Sequence, residues 1–143
     1  MYVGRTWMEP GANKRRLLYV SDYNNNIVQV YNYPSHGTQN PPAGTPTGIP
    51  NPFGMCIDKH HHVYITSVGS LSTLKYKFGG TNPIEAYHTS GAYPIACALD
   101  PTSNSVAITG RETTPNYALS GVFVFKLLSH WDRLLPQLLP KLV

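Results

Sequence analysis

Charge is what this sequence has least of. Lysine, arginine, aspartate and glutamate together make up 13% of its 143 residues, roughly half the usual share. Basic residues exceed acidic ones by four, but they are scattered, and Lys14-Arg15-Arg16 is too short for a basic stripe with interleaved aromatics. That excludes nucleic acid as the expected partner. No apolar run approaches the roughly 18 residues of a membrane span, so no transmembrane segment is expected. The opening "MYVGRTWMEPGANKRR" holds no apolar stretch of about 7–15 residues, and no secretory signal is expected in it. There are only two cysteines, Cys56 and Cys97, without CxxC spacing, which settles neither redox compartment nor metal. A chain of this length buries a real core and demands no disulfide or metal staple.

What is present is turn chemistry and strand chemistry. Thirteen prolines, twelve glycines and ten tyrosines against 41% hydrophobic residues read as many short strands joined by tight turns. The chain also repeats itself. Pro52-Phe53-Gly54-Met55-Cys56-Ile57-Asp58 lies over Pro94-Ile95-Ala96-Cys97-Ala98-Leu99-Asp100, each a proline, an apolar residue, a small one and an apolar run closed by aspartate. Val63-Tyr64-Ile65-Thr66 matches Val106-Ala107-Ile108-Thr109, with an earlier copy at Leu18-Tyr19-Val20-Ser21. A third element recurs at Val28–Tyr33, Thr73–Phe78 and Val122–Lys126, and a fourth at Ile84–His88, whose counterpart near Gly44–Ile49 carries Pro46. Four short strands in a period of about 42–45 residues match a β-propeller blade.

On these residues the chain resembles the NHL-type propeller repeat, in the uncharacterised bacterial manner of the SMP-30/lactonase-like superfamily. "PFGMCIDKHHHVYITS…LKYKFGG" carries the pattern Pro-x-Gly-apolar-x-apolar-Asp, a turn, and two further strands, the last ending near an aromatic. The resemblance implies an all-β fold: a partial propeller of two to three four-stranded blades, of the six-bladed type, with an atypical C-terminal tail. The expected division is a 1–16 N-terminal extension, a partial blade over 17–50, a full blade over 51–92, a partial blade over 93–126 and a Leu/Pro-rich tail over 127–143. The first copy is expected to lack its innermost strand and the third its outermost. Strand alternation puts Met55 and Cys56 on opposite faces, and Cys97 falls at the Met55 position. The two thiols are therefore expected on different faces of adjacent blades, buried and free.

In this architecture the loops entering the innermost strand and those joining the second strand to the third share one face. That face gathers Tyr23-Asn24-Asn25-Asn26, Val68-Gly69-Ser70, Tyr93 and the loop Arg111-Glu112-Thr113-Thr114-Pro115-Asn116-Tyr117. The candidate ligand-binding residues are Tyr23, Asn24, Asn25, Tyr93, Arg111 and Glu112, although asparagine and glycine also serve such turns for purely conformational reasons. His60-His61-His62 falls on the opposite face, where adjacent histidines splay apart and rarely bring three nitrogens to one ion. They read as turn residues without a role, and Asp58 and Asp100 as turn-closing. No Ser-His-Asp or Cys-His constellation is legible.

The functional expectation is a non-catalytic binding or scaffold propeller with an unknown protein or small-molecule ligand and no cofactor, able to self-associate through its open blade edges. The alternative is part of a calcium-dependent lactonase-like hydrolase, its site completed by blades absent here. The resemblance would draw that ion's ligands from a Glu, an Asn and an Asp, and only Glu9, Glu85 and Glu112 are on offer. Relatives of this look are often exported, and localisation stays open. The tail "LLSHWDRLLPQLLPKLV" has leucines at helical spacing broken by Pro136 and Pro140. It reads as an amphipathic lid over a blade edge, a partner or membrane-surface contact, or the product of a cut or shifted coding sequence.

Overall fold

The computed structural model describes residues 2–4, 16–33, 42–89, 91–102, 105–112 and 121–126. The 127–143 tail and the 113–120 loop after Glu112 lie outside them. Among the described residues the chain is all-β, with no helix. Strands β1 (Tyr2–Gly4), β2 (Arg16–Asp22) and β3 (Ile27–Tyr33) form a first sheet. Strands β4 (Pro52–Ile57), β5 (Val63–Ser67), β6 (Ser72–Tyr76) and β7 (Pro83–His88) form a second, and β8 (Ala92–Asp100), β9 (Ser105–Glu112) and β10 (Gly121–Lys126) a third. Each is an antiparallel meander whose neighbours in sequence are neighbours in space.

The first sheet corrects one expectation. A strand does precede β2: Tyr2, Val3 and Gly4 pair with Ser21, Val20 and Tyr19. At the other edge, the segment after residue 42 meets β3 through one bridge, with Val30 N–H donating to Gly44 O at 2.9 Å and Ala43 N–H to Val30 O at 2.6 Å. Pro46, two residues on, has no N–H with which to extend a ladder.

The sheets stack face to face, and the second is buried on both sides. Along β5 every residue is buried, and alternation divides them between neighbours. Val63 and Ile65 join Leu74 and Tyr76 against Tyr19, Val28 and Val30 of the first sheet. Tyr64, with Tyr87, meets Val106 and Ile108 of the third. Each sheet thus presents a front to the sheet before it and a back to the sheet after it.

That stacking overturns the reading of the cysteines. Cys56 and Cys97 form a disulfide, their Cα atoms 5.7 Å apart. Cys56 does lie on the back of its sheet and Cys97 on the front of the next, as alternation requires. Those two faces are the ones that meet. Opposite faces of one sheet diverge, whereas the back of one sheet and the front of its neighbour converge.

A bulge near the start of β4 and another in β8 recur at the Pro-x-small motif, between Pro52 and Met55 and between Pro94 and Ala96. In both, a threonine of the neighbouring strand fills the gap in the ladder. Thr66 Oγ1 accepts from Gly54 N–H at 2.7 Å and Thr109 Oγ1 from Ala96 N–H at 3.1 Å. Thr66 also donates across the stack to Ile95 O at 3.1 Å, and Ser21 Oγ donates in the same way to Phe53 O at 3.1 Å. Gly54 is small because β8 passes directly over it: a Cβ there would collide with Ile95 O and lie 2.8 Å from Ala96 Cα. Both obstacles are backbone. Gly54→Ala is therefore expected to destabilise by about 2 kcal/mol, the range of overpacking. A urea melt unchanged by the substitution would show that the sheets do not approach this closely.

Candidate functional site

One end of the stack is tied together loop to loop. Asn51 N–H donates to Asn26 Oδ1 at 2.7 Å and Asn51 Nδ2 to Tyr23 O at 3.2 Å. Val68 N–H reaches Asn51 O at 3.0 Å, and Thr89 binds Leu71 O through its N–H at 3.0 Å and its hydroxyl at 3.1 Å. Asn26, Asn51 and Leu71 all have positive φ, at 57°, 50° and 50°. Asparagine tolerates that region, but leucine does so rarely, and Thr89 holds Leu71 there.

Between these loops lies an open cleft of about 780 Å³ that touches all three sheets. Its floor is apolar and aromatic: Phe53, Leu71, Ile95, Tyr93 and Tyr23, with Asn51 and Arg111 as polar groups. Tyr23 stands edge-on to Phe53, ring centroids 6.0 Å apart at 89°. A smaller hollow of about 400 Å³ adjoins it over Asp22, Tyr23, Asn24 and Gln29.

The six candidate residues divide. Tyr23, Tyr93 and Arg111 line the large cleft. Asn24 lines the adjoining hollow. Asn25 serves the turn instead: its Nδ2 donates to Asp22 Oδ2 at 2.8 Å and its N–H to Asp22 Oδ1 at 3.2 Å. These bonds from the Asn25 side chain and backbone hold the Asp22 carboxyl below its ordinary value. Glu112 pairs in register with Ala92 and, one residue after Arg111, alternates to the other face of β9, off the cleft lining. Phe53, Ile95, Asn51 and Leu71 were missed. For the first two a signal existed, since each follows the proline at a bulge, and bulges re-aim side chains at sheet ends.

The histidine turn has a different logic from the one expected. Asp58 is 5% exposed. Its Oδ1 accepts the backbone N–H groups of His60 and His62, both at 2.8 Å, and its Oδ2 meets His62 Nδ1 at 2.9 Å and the Tyr64 hydroxyl at 3.1 Å. His62 is thus not an idle turn residue. Burial pushes the Asp58 carboxyl up, but the bonds from His62 and Tyr64 outweigh it and hold the group below its usual value. The Tyr64 hydroxyl is pushed up, first by burial and then by the Asp58 charge, so it remains a donor. Asp100 closes the corresponding turn more simply, accepting from Thr102 N–H at 2.8 Å and Thr102 Oγ1 at 2.7 Å.

Among the described residues the carboxylates of a lactonase-type calcium set are not brought together. Glu85 lies on the outer strand β7 with Lys75 Nζ at 3.4 Å, Glu112 is off the cleft lining, and Glu9 is outside the described residues. Among the described residues no three His, Cys, Asp or Glu side chains are grouped to hold a metal ion, and no helix is long and apolar enough to cross a membrane. No known protein family matches the chain, and no curated protein matches it with significant similarity.

Proposed function

We propose that this chain is a three-blade segment of an NHL-like β-propeller that acts as a non-catalytic binding module, taking its ligand in the cleft between Tyr23, Tyr93 and Arg111. The observation that carries this reading is that cleft itself: an aromatic floor beside a guanidinium, assembled from all three sheets. Concave, mostly apolar sites with a few convergent polar groups are where small ligands bind. An arginine at the rim selects a carboxylate or phosphate, and the aromatic floor selects a flat apolar body, so the ligand class is a small molecule or peptide end with both. The repeated Pro-x-small bulge, the threonine that fills it and the back-to-front stacking support the propeller reading.

The test uses aromatic carboxylates, phenylacetate and indole acetate, titrated against the full chain by ligand-observed NMR. Arg111→Ala is expected to weaken binding about tenfold, the value of one charge-assisted hydrogen bond, and Tyr93→Ala to remove most of the signal. Equal signals from the wild type and both variants would defeat the assignment of the cleft.

A further inference from the structure

We infer that the back of the third sheet is a docking surface for the front of the first sheet of a second copy, so that two chains close one ring of six sheets. The inference rests on the propeller reading above. Its starting point is a pair of valines that occurs twice in equivalent positions. On the back of the first sheet Val28 and Val30 are 0% and 2% exposed, because the second sheet lies on them; on the back of the third, Val122 and Val124 are 63% and 67% exposed.

The hydroxyl ladder has the same unfinished step. Ser21 donates to Phe53 O in the next sheet, and Thr66 to Ile95 O in the next. Thr109 stands at the equivalent place, bonded within its own sheet to Ala96 N–H and Ala96 O at 3.1 and 3.4 Å as Thr66 is to Gly54. It is exposed, and among the described residues no following sheet offers the third contact. Ala96 and Ala98, both exposed, keep the middle of this face small and uncharged, with Arg111 toward one end and Asp100 and Lys126 at the other.

The chain carries the matching face at its other end. Leu18, Val20, Gln29 and Tyr31 occupy the front of the first sheet, in the positions by which Val106, Ile108, Phe123 and Phe125 of the third sheet meet the second. Back-to-front stacking is already the interface between the first and second sheets and between the second and third. Docking a second copy continues it without a new kind of contact. The three sheets of the described residues are too few to close by themselves, whereas propellers close with four to eight. Two copies about a two-fold axis make two identical junctions and leave no open face.

Sedimentation equilibrium of the full chain is expected to give twice 15.8 kDa. Val124→Arg, at a position exposed in the single chain, is expected to return the mass to 15.8 kDa with an unchanged circular dichroism spectrum. Val20→Arg, on the opposite face, should do the same. A wild-type monomer, an aggregate, or a dimer indifferent to Val124→Arg overturns the pairing. So does a dimer that Val20→Arg leaves intact, since that would be pairing back to back. A dimer sensitive to both substitutions but elongated in small-angle scattering overturns the closed ring and the propeller reading with it. A monomer leaves that reading to the cleft titration.

Discussion

Replacing Cys56 and Cys97 together by alanine is expected to cost about 4 kcal/mol of stability, the largest effect of any change considered. The cross-link joins residues 41 apart in sequence, and closing a loop of that length removes conformational entropy from the unfolded chain worth about 4 kcal/mol in the chain-entropy account. The bond also holds the β4–β8 contact, where two separate meanders meet and no backbone ladder runs between them. Its sulfurs pack with Tyr64, Val106 and Ile108, so the double variant loses packing as well. For a chain of this size the melting temperature is expected to fall by about 10 °C. Thermal melts followed by circular dichroism, with and without a reductant, read this directly: reduction should lower the wild-type transition most of the way to that of the double variant, which a reductant leaves unmoved. If neither the reductant nor the substitution moves the transition, the two sheets are held by something other than this bond.

Asp58→Ala is expected to cost about 3 kcal/mol, because it strips the acceptor from four donors at once. Hydrogen bonds to a charged group are each worth about 1.5–3 kcal/mol and are not additive within one cluster. The deepest loss is the buried Tyr64 hydroxyl, 3.1 Å from Oδ2, left without that acceptor between two sheets. The pH dependence gives a second, independent reading. The folded-state pKa of Asp58 is lowered, so its contribution is fully present above the unfolded carboxylate value of about 3.9. It is lost as pH falls through the folded value. The stability gap between wild type and Asp58→Ala is therefore expected to be full at pH 7 and to shrink toward pH 3. A gap of the same size at both would mean that Asp58 acts by shape alone.

Strand positions were legible because they depend on local chemistry. Val63–Ser67 and Val122–Lys126 announce themselves by β-branched and aromatic residues between turn formers, and β5 and β10 fall there. Asp58 and Asp100 as turn closers follow from the same kind of reasoning, since a carboxylate bonding the backbone two residues on is a local event. The cleft was half legible. Tyr23, Tyr93 and Arg111 follow from placing loops on one end of a stack of meanders, whereas Phe53 and Ile95 depend on bulges that break the strand alternation used to aim side chains.

By itself the sequence determined that the chain would form short antiparallel strands in repeating groups, because periodicity, proline and glycine act over a few residues and need no distant partner. Only the tertiary structure decided which faces meet. The cysteines lie on opposite faces of their own sheets, yet the back of one sheet is pressed to the front of the next, and the two sulfurs bond. His62 looked like one of three interchangeable turn residues until the chain turned far enough to bring its ring to a carboxylate already bonded to Tyr64. Alternation along a strand says which way a side chain points, and the packing of sheets says what it meets there.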